Sequence, residues 1–194
     1  MSLLFNCYLT FAMHDLILRL KSWQVFLMLL APHFASWYVI NDVVDAGLGL
    51  LSTLLVVAWL VLMGNTLMQV GQPVQGYSAT RFIVNSLIVV AALAYSYVAE
   101  DESFQITSTS FHATGLWMPV MLYTLLAYLQ LHWFPASLLV AREQGRRPDF
   151  SQVIGPFLLL IFWPIGVWFM QERLNDFAKK QSVLPVLNDG HGRV

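Results

Sequence analysis

The chain has 194 residues, of which 58% are apolar and 11% charged, with a mean hydropathy of +0.64 and a formal net charge of -1. A water-soluble domain carries about 25% charge, so most of this polypeptide is expected to be solvated by lipid, and the length leaves no room for a separate soluble domain. The near-neutral balance speaks against a nucleic-acid partner, which calls for a basic stripe, and the single cysteine, Cys7, excludes a disulfide framework or a cysteine metal site within the chain.

Residues 1–21 come first. The apolar run 3–13 is too short to cross a bilayer and is interrupted by His14 and Asp15, which predicts an interfacial helix. No basic leader and no small-residue cleavage site precede the apolar stretches, so the first crossing is expected to act as its own insertion signal. A hydrocarbon core about 30 Å thick needs about 20 apolar helical residues. Windows 22–41, 46–80, 82–99 and 103–141 contain no Asp, Glu, Lys or Arg, and neither does 150–171.

These windows predict an all-α fold: a polytopic transmembrane helix bundle over residues 22–171, with hydrophobic segments at about 23–40, 46–68, 82–99, 116–140 and 153–170. The second is the most hydrophobic, and a Gly, Pro, Gln and Ser-rich turn joins it to the third, which Glu100, Asp101 and Glu102 stop abruptly. A polar stretch, 103–115, leads to the fourth segment, where Pro119 and Pro135 are each expected to remove a helical hydrogen bond. Arg142, Arg146 and Arg147 are placed in the loop before the fifth segment. A mixed-charge helical stretch, 172–180, opens the polar tail, 172–194. No internal repeat and no strand alternation of a barrel is present.

Lys and Arg mark the cytoplasmic side of a membrane protein. Arg19 and Lys21, then Arg81, then Arg142, Arg146 and Arg147 occupy alternate connections, whereas the connections between them hold Asp42, Asp45, Glu100, Asp101 and Glu102. The N-terminal flank is therefore expected to be cytoplasmic. The tail conflicts with this pattern, because five crossings leave Arg173, Lys179 and Lys180 outside. Two topologies follow: five spans, or four spans plus a re-entrant hairpin turned at Pro164 and Gly166.

Two histidines are the candidate cofactor ligands. His33 lies 12 residues after Lys21, about 18 Å deeper, and His132 lies 10 residues before Arg142, about 15 Å from the same face. Ionisable groups at such depth are costly and invite a functional reading; paired imidazoles from two helices can ligate haem or a metal, or relay protons. The plainer reading is a neutral histidine bonded to a carbonyl freed by Pro32 or Pro135, or to another helix. Asn65, Gln69 and Asn85, at the cytoplasmic ends of segments two and three, are candidates for a solute vestibule, or are interhelical hydrogen bonds. The acidic residues with His112 match no calcium loop and read as topogenic. Trp23, Trp37, Trp117, Trp163 and Trp168 form an aromatic belt. No protease or Walker motif is present.

Residues 20–27 (LKSWQVFL) and 162–171 (FWPIGVWFMQ), with Arg173 and Asn175 behind the second, resemble the opening and closing segments of a group of small multi-spanning bacterial inner-membrane proteins. The likeness is confined to those residues, and Glu172 stands where proline is expected. It implies a bacterial inner-membrane location; the group has no assigned activity, so no residue role comes with it.

Three functions remain. The first is a non-enzymatic structural or accessory membrane subunit, with the lipid bilayer and a membrane-protein partner or a second copy around it and no cofactor. The second is a channel or transporter for a small solute or proton. The third is a haem- or metal-dependent membrane redox protein using His33 and His132.

Overall fold

The computed structural model describes residues 20–69, 76–99, 101–107 and 110–189. Helices α1 (Ser22–Ser36), α2 (Asp42–Gln69), α3 (Ala79–Val98), α4 (Trp117–Gln144), α5 (Phe150–Ile161) and α6 (Trp163–Asp189) follow one another, with strands β1 (Phe104–Ile106) and β2 (Phe111–Ala113) between α3 and α4. The all-α class stands. Three helices, at Val43–Gln69, Ala79–Val98 and Trp117–Gln144, are long and apolar enough to cross a membrane. The expected interfacial helix at 3–13 lies outside the described residues.

The starts of the helices are written locally. Gln24 Oε1 accepts from the Lys21 N–H at 2.9 Å, and Gln152 Oε1 accepts from the Asp149 N–H at 3.0 Å; a glutamine three residues into a helix satisfies an otherwise orphaned amide. Asn41 Oδ1 accepts from Val43 N–H and Val44 N–H before α2, and Ser78 Oγ accepts from Arg81 N–H before α3. Helix α1 has 15 residues, about 22 Å at the helical rise. Beyond it, Trp37, Tyr38 and Val39 each bond back three residues, so a tighter winding carries the chain roughly 6 Å further.

Two compact units divide the chain. Of the described residues, 27–61 and 78–134 make one. There α3 and α4 run antiparallel: Phe82 stacks on Phe134 with ring centroids 4.3 Å apart, and Tyr95 packs at 5.1 Å from Trp117. The strands pair antiparallel, Phe104 opposite Ala113 and Ile106 opposite Phe111. Phe104 and Ile106 are buried, and Ser96 Oγ accepts from the Ile106 N–H at 2.7 Å. This small hairpin occupies the stretch read from sequence only as a polar connection.

The other unit holds 20–26, 62–69, 76–77 and 135–189 of the described residues. Its buried residues run along the end of α4, Pro135 to Arg142, and recur in α6 at Val167, Met170, Gln171 and Leu174. Here the fifth apolar segment is two helices. The chain breaks at Phe162 (φ -87°, ψ 56°), and Pro164 falls in the first turn of α6, where its missing N–H leaves no helical bond unmade. Past the break, Gly166 lies so close to α5 that a Cβ there would sit 1.7 Å from the Leu159 carbonyl oxygen. Only glycine permits that approach.

Candidate functional site

The polar side chains of the apolar helices are the places where chemistry would sit, and most of them bond to helix. In the first unit described, Asn85 Nδ2 donates to Gln130 Oε1, and the Tyr123 hydroxyl donates to Asn85 Oδ1 at 2.9 Å. One α3 amide thereby ties two positions of α4. Ser86 Oγ donates to the Phe82 carbonyl at 2.7 Å and Thr124 Oγ1 to the Val120 carbonyl at 2.9 Å. These are bonds along one helix, the usual way to satisfy a hydroxyl in apolar surroundings.

His132 is 1% exposed. Its Nδ1 lies 2.8 Å from the Tyr128 carbonyl oxygen, an acceptor, so Nδ1 carries the proton and neutral imidazole keeps its lone pair on Nε2. The Tyr128 ring packs on it with centroids 4.5 Å apart. Pro135 frees the Leu131 carbonyl rather than that of Tyr128, so this bond is not the proline compensation that the spacing suggested. His33 stands on an exposed face of α1 and lies edge-on to Trp37, centroids 5.9 Å apart. Among the described residues no hydrogen bond or ring contact joins the two histidines, and no group of three or more His, Cys, Asp and Glu is placed to hold a metal.

Of the vestibule candidates, Asn65 is half-buried and Gln69 exposed, both in the second unit, while Asn85 belongs to the other unit and is engaged with Gln130 and Tyr123.

The second unit carries polar residues that the sequence reading did not single out. Arg142, assigned there to a loop, is 9% exposed inside the last turns of α4. Its Nε donates to the Leu67 carbonyl at 2.9 Å and its Nη2 to the Met68 carbonyl at 3.1 Å. These are among the last carbonyls of α2, which have no partner within their own helix and carry the negative end of its dipole. Arg142 therefore caps another helix. Its Nη1 is buried with no hydrogen-bond partner. The sequence signal was the unbroken run into Gln144, with Gly145 (φ 67°) as the first residue able to end the helix.

Next to it, Glu143 receives both arms of Arg173, at 3.0 and 2.5 Å, a bidentate pair between α4 and α6. Gln171, fully buried, donates through Nε2 to the Leu20 carbonyl at 3.3 Å and to Asn175 Oδ1 at 3.2 Å, and Asn175 Nδ2 donates to the same Leu20 carbonyl at 3.1 Å. Two amides one helical turn apart clamp the residue that leads into α1. The Tyr77 hydroxyl donates to the Ser137 carbonyl at 3.2 Å.

Between α3 and α4, Asp101 is, among the described residues, the one group with a clear electrostatic bias outside the long apolar helices. The Ser103 backbone N–H, 2.8 Å from Oδ1, holds its carboxyl below the usual carboxylate range, and the Tyr95 hydroxyl on Oδ2 at 3.0 Å adds to this. Arg142 and the Glu143–Arg173 pair tie one helix to another, whereas His132 bonds within its own helix and His33 packs on Trp37.

No protein-family model matches the chain, and neither a curated protein nor a solved structure does.

Proposed function

We propose that the chain is a multi-pass integral membrane protein acting as a non-enzymatic structural or accessory subunit. The observation that carries this is a division of labour. The polar side chains within the long helices bond to their own or a neighbouring helix, as Asn85 and Gln130, His132 and Arg142 show. The outward faces are large apolar residues, including Leu87 at 63%, Leu122 at 60% and Leu126 at 56% exposure. Internal hydrogen bonds between helices and an apolar exterior are what a lipid solvent demands. In this reading α2, α3 and α4 cross the bilayer, and α1 with the turn after it crosses as the first segment. The basic residues of alternate connections support a cytoplasmic N-terminal flank. The resemblance of residues 20–27 and 162–171 supports a bacterial inner membrane as the location.

Extraction in a mild detergent followed by cross-linking tests the assignment. The protein is expected in the membrane fraction, assembled with a membrane-protein partner or with a second copy. A strictly monomeric, partner-free protein that supports solute flux in liposomes would overturn it in favour of a channel. A Soret band lost in His132→Ala would overturn it in favour of a haem protein.

A further inference from the structure

We infer that α5 and α6 form a re-entrant wedge whose partner is the lipid of one leaflet, on the side of Arg142, Arg146 and Arg147, and that the wedge returns the C-terminal helix to the side it left. This rests on the membrane reading above and adds the fate of the fifth apolar segment.

Length makes the first argument. Residues 150–171 without a charge suffice to cross a bilayer as one helix, but α5 has 12 residues, about 18 Å of rise against a core of about 30 Å. Its end at Phe162 therefore sits near the bilayer midplane. The return leg from Trp163 to Arg173 covers 10 residues, about 15 Å, so the two legs match.

The ion pair makes the second. An unbroken helix from Phe150 would carry Arg173 about 35 Å away. The connection from Glu143 to Phe150 spans seven residues and reaches at most about 25 Å. A straight helix would reach Glu143 only with that connection fully stretched and both side chains at full extension, so the bidentate Glu143–Arg173 pair is the contact of a chain that doubles back, and Gly166 against Leu159 is where it does so.

The third argument is the company α6 keeps. Gln171 and Asn175 hold the Leu20 carbonyl, Ser22 Oγ donates to the Trp168 carbonyl at 3.4 Å, and Phe26 packs on Trp168 with centroids 5.5 Å apart. Residues 168–175 lie beside the start of α1, the end marked by Lys21. Arg173 and Lys179 thereby join the basic side, and the conflict of the five-span topology disappears.

An apex in hydrocarbon must satisfy its own backbone. Here the Phe162 N–H bonds to the Leu158 carbonyl at 2.9 Å, and the Ile165 and Gly166 N–H groups both bond to the Phe162 carbonyl, at 3.0 and 2.9 Å. Around that apex Phe162, Ile165 and Phe169 are 62%, 60% and 55% exposed, an apolar surface suited to acyl chains. Exposed Arg146, Arg147 and Lys179 with the half-exposed Arg173 ring its base, where anionic headgroups lie.

The test uses the full chain with Cys7→Ser and single cysteines at the exposed positions Gln144, Asp176 and Glu102, labelled with a membrane-impermeant maleimide in right-side-out and inverted vesicles of expressing cells. The wedge predicts that Asp176→Cys labels in the same vesicles as Gln144→Cys and in the opposite ones from Glu102→Cys. If Asp176→Cys follows Glu102→Cys while Gln144→Cys does not, the wedge is overturned and the membrane reading stands. If Gln144→Cys and Glu102→Cys label from one side, the membrane reading itself fails and takes the wedge with it. A fluorophore on Ile165→Cys in phosphatidylethanolamine–phosphatidylglycerol vesicles gives a second readout. Quenching strongest by a mid-chain lipid quencher supports the wedge, and quenching strongest by a headgroup quencher overturns it.

Discussion

Helix α4 and the pair α5–α6 are both long apolar stretches interrupted by proline, yet one runs through and the other folds back. In α4, Pro135 removes the N–H that would bond to the Leu131 carbonyl. The helix continues for nine more residues because nearly every side chain from Leu131 to Arg142 is buried against neighbours. In the pair, Pro164 sits where a helix can begin without loss, and the change of direction is made at a single residue, Phe162, with Gly166 allowing close contact on the far side. Proline alone therefore does not decide. Packing overrides it in α4; a glycine at the right distance exploits the break in α5–α6.

The largest expected effect attacks that contact. Gly166→Ala sets a methyl carbon against the Leu159 carbonyl, so the corner must open, at a cost of about 3 kcal/mol. Gly155→Ala in the same hairpin meets nothing within 4 Å and should gain roughly 0.5–1 kcal/mol from helix propensity. Denaturant unfolding in detergent micelles reads both, and equal effects would remove the special role of Gly166.

Arg142→Ala comes next. It leaves the Leu67 and Met68 carbonyls without their donors and should cost about 2 kcal/mol, with the loss seen as faster amide exchange in the last turn of α2. Loss confined to α4 would mean that the cap contributes nothing.

Asn85→Leu tests the α3–α4 pair, where the cost should be about 1 kcal/mol. A double-mutant cycle with Gln130→Leu should show coupling of the same size, and additivity would disprove the bond.

The smallest effect belongs to Asp101, which lies half-buried in a connection. Because folding lowers its proton affinity, its contribution is complete above the ordinary carboxylate value of 3.8 and is lost as pH falls through the lower folded value. The aromatic signal of Tyr95 and Trp117 should therefore change at acid pH in the native chain and stay flat in Asp101→Asn.

Much of this comparison was legible in the sequence, but unevenly. Four uncharged windows marked helices because hydrophobic length is a local property. Their ends were read short: α2 begins at Asp42 and α4 runs to Gln144, since the charges that suggested loops are absorbed into first and last turns. The small β-hairpin was not legible, because three-residue strands leave no period to read and their support, Ser96 and Trp117, lies outside them. The fifth segment was half legible. Pro164 and Gly166 named the place of a turn, while the partners that choose between crossing and returning, Glu143 for Arg173 and Leu20 for Gln171, are 30 and 151 residues away. Asn85 could be read as a polar residue in an apolar helix, but its partner Gln130, 45 residues on, could not.

The most direct measurement is a cross-link by a short bis-maleimide between Glu143→Cys and Arg173→Cys in the Cys7→Ser chain, formed in native membranes, since a pair joined at the tips of two long side chains can stand too far apart for a disulfide. A re-entrant α5–α6 holds these two positions side by side and predicts rapid, intramolecular cross-linking. If the segment crosses the bilayer instead, a core about 30 Å thick separates them and no cross-link forms.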